Sequence, residues 1–158
     1  PTTNELFTST STAASPNVAE SEQDTLKARR DMVKNIAALL WANLMSELGD
    51  SPPGPSTMLD YAYRISQALS SFWIMDLREE FDHGRALIRK NVALKKVDQP
   101  MPVFALVTEY IGPMLSCYAL TGDKIFLSAA QDAMNLLKPA FNTEGMAVDY
   151  LLLLVPRS

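Results

Sequence analysis

Apolar side chains recur at steps of three, four and seven along most of this chain, the period of a helix rather than a strand. Leu26, Val33, Ala37, Leu40, Leu44 and Leu48 form one such stripe and predict a first helix over 21–48. Ser21 with Asp24 three residues later has the spacing of an N-terminal capping pair, and Gly49 suits a helix stop. Residues 50–55 hold three prolines and a glycine and read as a loop. A second helix is predicted over 57–75, apolar on several sides through Leu59, Tyr61, Ala62, Ile65, Ala68, Leu69, Phe72, Trp73, Ile74 and Met75. Such a helix is normally buried. Asp76 and Glu79 form another cap-like pair, predicting a break and a restart.

A third helix over 77–92 carries Leu77, Phe81, Gly84, Ile88 and Val92 on one face and charges on the other, as an outer helix does. Residues 91–102 contain Pro100 and Pro102 and form a connection. A fourth helix over 103–120 is again apolar on most sides, and Pro113 inside it removes a backbone donor and predicts a kink. Residues 121–123 make a tight link, with Asp123 as N-cap of a fifth helix over 124–138 that places Phe126, Ala130, Ala133 and Leu137 on one face. A link this short makes the fourth and fifth helices antiparallel neighbours. Buried helices thus alternate with amphipathic covers, the arrangement of helical hairpins set side by side with an inner and an outer layer. Five helices in such an array leave an open apolar edge, which on a monomer marks missing chain or an interface. The run over 150–155 also needs a partner.

Residues 1–20 are rich in Ser, Thr, Ala, Asn and Pro and bury too little apolar surface to offset chain entropy, so they read as a disordered tail or stem. The helical domain is then expected over 21–147, and an apolar C-terminal tail over 148–158. The chain of 158 residues is 47% apolar and 20% charged, ordinary for a globular protein. A net charge of −4 gives no reason to expect nucleic acid as a partner. The single cysteine, Cys117, lies in an apolar run and reads as a buried, inert thiol. The single histidine, His83, lies among charges and reads as an exposed helix residue. Together they make a zinc site implausible. No run is read as long enough to span a membrane, and residues 1–20 lack the apolar core and basic start of a signal peptide. A start at Pro1 fits a processed piece or a segment of a longer polypeptide. The charges from Arg85 to Lys96 read as a solvated helix face and loop rather than a basic patch.

Four blocks of residues carry a resemblance. Residues 27–34 followed by Trp41, residues 68–81 (ALSSFWIMDLREEF), residues 103–123 with Val103-Phe104 and LSCYALTGD, and residues 136–143 (LLKPAFNT) occur in that order. Together they resemble the N-terminal part of the catalytic domain of class I α-1,2-mannosidases, glycoside hydrolase family 47, most closely the Golgi type. The resemblance implies an all-α fold, a partial (α/α) barrel of helical hairpins from the N-terminal portion of an (αα)7 toroid. It also implies a parent activity: calcium-dependent trimming of mannose from high-mannose N-glycans, with inversion. It implies a setting in the secretory pathway, Golgi or endoplasmic reticulum, with a membrane anchor upstream. The region that supplies the family's calcium ligands has no counterpart here, so no cofactor is expected in this chain.

The resemblance also locates losses. Inverting hydrolysis needs one carboxyl group as acid and another as base. The family's acid follows its "VF" pair, and that position is Ala105. The family's substrate-contacting arginine falls at Glu109, a reversal of charge on the same helix face. Two family aspartates fall at Gln67 and Ser70, the family's "HAW" is Leu39-Leu40-Trp41, and the second of two glycines is Pro113. Glu109 with Asp60 or Asp149 is conceivable as a substitute carboxylate pair; the alternative is a Glu109 at a cavity rim or in solvent. No catalytic, cofactor or metal residue is therefore expected. The chain is read as a catalytically incomplete fragment or relic of such a mannosidase, or as a non-catalytic helical module. Such a module binds protein or glycan, with a partner covering its open helical edge.

Overall fold

The computed structural model describes residues 16–49, 51–141 and 149–151. The chain divides into two compact units, Pro1–Ile36 and Ala37–Ser158. The first unit's described part is the beginning of helix α1 (Pro16–Leu48). This helix starts at a proline, whose fixed φ and missing N–H suit a first turn. The expected capping pair Ser21 and Asp24 therefore lies inside the helix, and the last five residues of the expected tail belong to it. Residues 1–15 lie outside the described residues.

The second unit contains two helical hairpins. The first joins α2 (Met58–Met75) to α3 (Arg78–Asn91). The second joins α4, running Val103–Thr121, to α5 (Lys124–Leu137). Helices α2 and α4 pack on each other, and each also packs on its own partner, α3 or α5. This is the inner and outer layering expected from the alternation of buried and amphipathic helices. The fold is all-α; two-residue strands β1 (Met101–Pro102) and β2 (Tyr150–Leu151) pair antiparallel, with Met101 opposite Leu151. The apolar run that needed a partner finds one for its first two residues, and residues 152–158 lie outside the described residues.

The core runs through both hairpins. Ile65 and Leu69 of α2, Leu106 and Met114 of α4, and Phe126 and Leu137 of α5 are fully buried. Phe81 of α3 links α5 and α2, its ring 5.7 Å from Phe126 and 5.0 Å from Trp73. One buried polar contact ties α3 to α2, where Asn91 Nδ2 donates to Tyr61 Oη at 2.9 Å. At Gly84 a Cβ would stand 2.6 Å from Leu69 Cδ2 and 3.2 Å from Trp41 Cη2, so glycine sets how closely α3 approaches. Trp41 is 5% exposed and meets Phe72 edge-on at 5.2 Å. The α1 stripe differs from the expected one. Ala37, Trp41, Leu44, Met45 and Leu48 pack on the core, whereas Leu26, Val33 and Leu40 are exposed.

Helix ends follow local chemistry. Gly49 and Gly122 both take the left-handed conformation, φ +69° and +71°, and end α1 and α4 as glycine readily does. Asp123 caps α5 by accepting from Ile125 N at 3.0 Å, and Arg85 of α3 pairs with its other oxygen. Burial pushes the Asp123 carboxyl up, but the Ile125 N–H and the Arg85 guanidinium outweigh it and hold it below its ordinary value. The break between α2 and α3 is made differently from the capping reading. Asp76 closes α2 in the left-handed region (φ 61°, ψ 35°), its N–H returning to Phe72 and Trp73, and α3 starts at Leu77 without a side-chain cap. Aspartate tolerates that conformation better than most residues.

Helix α4 is not regular. Its central turn, Leu106–Ile111, is a π-turn, followed by an α-helical run Gly112–Thr121. With 19 residues and a mean hydropathy of 1.4, α4 meets the length and composition of a membrane span, contrary to the sequence expectation. A third of the helix is buried, with Leu106, Tyr110, Met114 and Cys117 at most 2% exposed within the core.

Candidate functional site

The positions singled out on the fourth helix lie on its first turns. Pro102 is extended (φ −66°, ψ 116°), and the chain turns helical at Val103. Ala105 and Glu109 follow, both half-buried. Pro113 has no N–H to offer the Glu109 carbonyl four residues back. That carbonyl instead accepts from Ser66 Oγ of α2 at 2.6 Å. The helix is interrupted by a π-turn just before Pro113, and this cross-helix bond holds Glu109 against α2.

The Glu109 side chain meets α2 as well. Gln67 Nε2 donates to Glu109 Oε2 at 3.0 Å. Tyr63, one turn earlier on α2, has a buried hydroxyl with no hydrogen-bond partner among the described residues. Burial, and next the Glu109 charge, push the Tyr63 phenol up to about 12, so it stays neutral at any physiological pH. The site is thus a cluster of one carboxylate, one amide and two hydroxyls, from Glu109, Gln67, Tyr63 and Ser66. Sequence reasoning located Gln67 and Glu109 but missed Tyr63 and Ser66, whose part depends on contacts between residues more than 40 apart in the chain.

The other acids named from the sequence are engaged elsewhere. Asp60 accepts from Arg64 Nε at 2.9 Å, and Arg64 also reaches Glu47 at 3.0 Å. Asp60 lies seven residues before Gln67, about 10 Å along α2 at 1.5 Å per residue. Asp149 is exposed, and its backbone carbonyl accepts from Val103 N at 3.0 Å, closing the entry to α4. Ser70 is half-buried. Cys117 is fully buried, and burial alone pushes its thiol up to about 11, which leaves it an unreactive packing group. His83 is exposed, its ring edge-on to Trp41 at 5.8 Å.

Calcium takes six to eight oxygen ligands, several of them carboxylates. The Glu109 cluster offers one carboxylate, and among the described residues no three His, Cys, Asp or Glu side chains converge. These residues do not fit that ion.

The chain matches the model of "Glycosyl hydrolase family 47" over residues 45–153. It belongs to that family. Among curated family 47 relatives, Mannosyl-oligosaccharide alpha-1,2-mannosidase IA of Drosophila melanogaster is 30% identical over 130 residues, covering 75% of this chain and 20% of the relative. The enzyme of the same name from Spodoptera frugiperda is 35% identical over 79 residues, 50% of this chain and 12% of the relative. The human Endoplasmic reticulum mannosyl-oligosaccharide 1,2-alpha-mannosidase is 40% identical over 79 residues, 50% of this chain and 11% of the relative. The chain thus spans a fifth or less of the length of these family 47 proteins. The resemblance read from the four sequence blocks is borne out.

Proposed function

We propose that this chain is a non-hydrolytic piece of family 47 architecture: the first hairpins of an α-1,2-mannosidase without the group that cleaves. The observation that carries the reading is the methyl group of Ala105 on the α4 turn that leads to Glu109. An inverting glycosidase needs an acid and a base, roughly 6.5–9.5 Å apart with a water between them. In the Glu109 cluster the only carboxylate already accepts from Gln67, and the neighbouring Tyr63 phenol is too weak an acid to replace a carboxylic acid. The parent substrate class is high-mannose N-glycans and the parent setting is the secretory pathway, Golgi or endoplasmic reticulum. The names of the relatives support mannosyl-oligosaccharides as the substrate class and, for one of them, the endoplasmic reticulum as the setting.

The test is an assay of the full chain with α-1,2-mannobiose and a high-mannose N-glycan in the presence of calcium. No mannose release above buffer is expected. Calcium-dependent release that disappears in Glu109→Gln would overturn the reading and make Glu109 catalytic.

A second reading, a helical interaction module, is favoured by one observation. Phe104 is 79% exposed, and Leu115 of α4 and Met134 of α5 are each more than 40% exposed. An apolar face of this kind invites a covering partner. A discrete oligomer or a stable heterocomplex in light scattering would support this role, and a monodisperse monomer at high concentration would count against it.

A further inference from the structure

A cavity of about 520 Å³ opens between the end of α3, the 3₁₀ turn Leu94–Lys96 and α5. Its apolar walls include Ile88, Val92 and Leu136, and Tyr110 of α4, only 2% exposed, closes its floor. Burial first, and then the Asp132 carboxylate, hold the Tyr110 phenol protonated, so it stands there as a neutral donor. Arg89, Lys95 and Lys96 also line the cavity, and none of the three is in an ion pair among the described residues. Among the described residues Asp132 is the single acid lining it. Three exposed cations thus stand against one carboxylate beside apolar walls. The volume lies within the range of small-molecule sites, roughly 300–1,000 Å³.

The geometry points to a binding site here for an amphipathic anion, an alkyl or aryl chain ending in one carboxylate or sulfonate. The chain lies along Ile88, Val92 and Leu136, where burial removes its methylenes from water. The head group meets the Arg89, Lys95 and Lys96 charges, and the Asp132 carboxylate disfavours a ligand with a second anionic group on that side. The cavity lining shares no residue with the Glu109 cluster and does not include residue 105.

Calorimetric titration of the full chain with decanoate, decanol and decyltrimethylammonium tests this, with each ligand kept below its micelle concentration. Decanoate is expected to bind one to one, at least tenfold more tightly than decyltrimethylammonium. The double variant Lys95→Glu, Lys96→Glu changes only exposed side chains; it should weaken decanoate at least tenfold and leave decanol unchanged. Ala129→Trp, which fills the cavity, should abolish binding of both. Circular dichroism and melting confirm that each variant is folded. Equal affinity for the two charged ligands, no saturable decanoate binding, or decanoate binding untouched by the charge reversal would each overturn the site.

Discussion

The buried and exposed sides of α4 are built from the same kind of residue and have opposite fates. Leu106, Tyr110, Met114 and Cys117, spaced four, four and three apart, are at most 2% exposed, while Phe104, Val107, Leu115 and Leu120 are 39–79% exposed. Nothing in their chemistry separates the two sets; neighbours do. The first set meets α2 and α5, and the second has no described element over it. Ala105 and Glu109, both half-buried, belong to neither set, and the Glu109 carboxylate accepts from Gln67 of α2. Burial along this helix is thus set by what stands opposite each strip rather than by the composition of the strip.

The sharpest way to break this comparison is at Met114, which is fully buried. Met114→Ala is expected to cost about 2–5 kcal/mol, the usual range for truncating a core methionine. Urea unfolding followed by circular dichroism measures it. A loss under about 1 kcal/mol would mean that this side of α4 is no better packed than the other.

A smaller effect is expected where the polar strip is anchored. The Glu109 carbonyl, denied an N–H by Pro113, depends on Ser66 Oγ at 2.6 Å. Ser66→Ala should cost about 1–3 kcal/mol, the penalty of leaving a buried acceptor unpaired. In a Pro113→Ala background the helix regains a donor for that carbonyl, so the Ser66→Ala cost should shrink. Equal cost in both backgrounds would show that proline and serine are not coupled through the carbonyl.

Much of this fold could be read from periodicity, because all five helices bury stripes that repeat every three or four residues. Their ends fall within a few residues of the expected ones wherever Gly49, Gly122 or Asp123 marks them. What could not be read is tertiary. The choice between Leu40 and Trp41 as the core-facing side of α1 depends on where Phe72 stands, and both stripes have helical spacing. The left-handed Asp76 carries the same letters as a capping pair. The π-turn at Leu106–Ile111 had one signal, Pro113, which foretells an interrupted hydrogen bond but not which neighbour repairs it. At the candidate site, Ala105 and Glu109 were found by comparison with family blocks, since spacing alone gives an alanine and a glutamate no special meaning. Tyr63 and Ser66 joined them only once α2 was laid against α4.

The smallest expected effect concerns Phe104, and it decides what the exposed side of α4 is for. A side chain 79% exposed contributes little to the fold of an isolated chain, so Phe104→Ser should change stability by no more than about 0.5 kcal/mol. The same change removes the largest exposed apolar group of that strip, so any self-association of the chain at high concentration should fall. Sedimentation of the parent and the variant across a concentration series reads both outcomes. If Phe104→Ser instead lowers stability by more than about 1 kcal/mol, and does so more at high protein concentration than at low, the residue is covered in solution by a second copy. The two faces of α4 would then differ only in whose residues bury them. If the loss is the same at every concentration, the cover comes from within the chain.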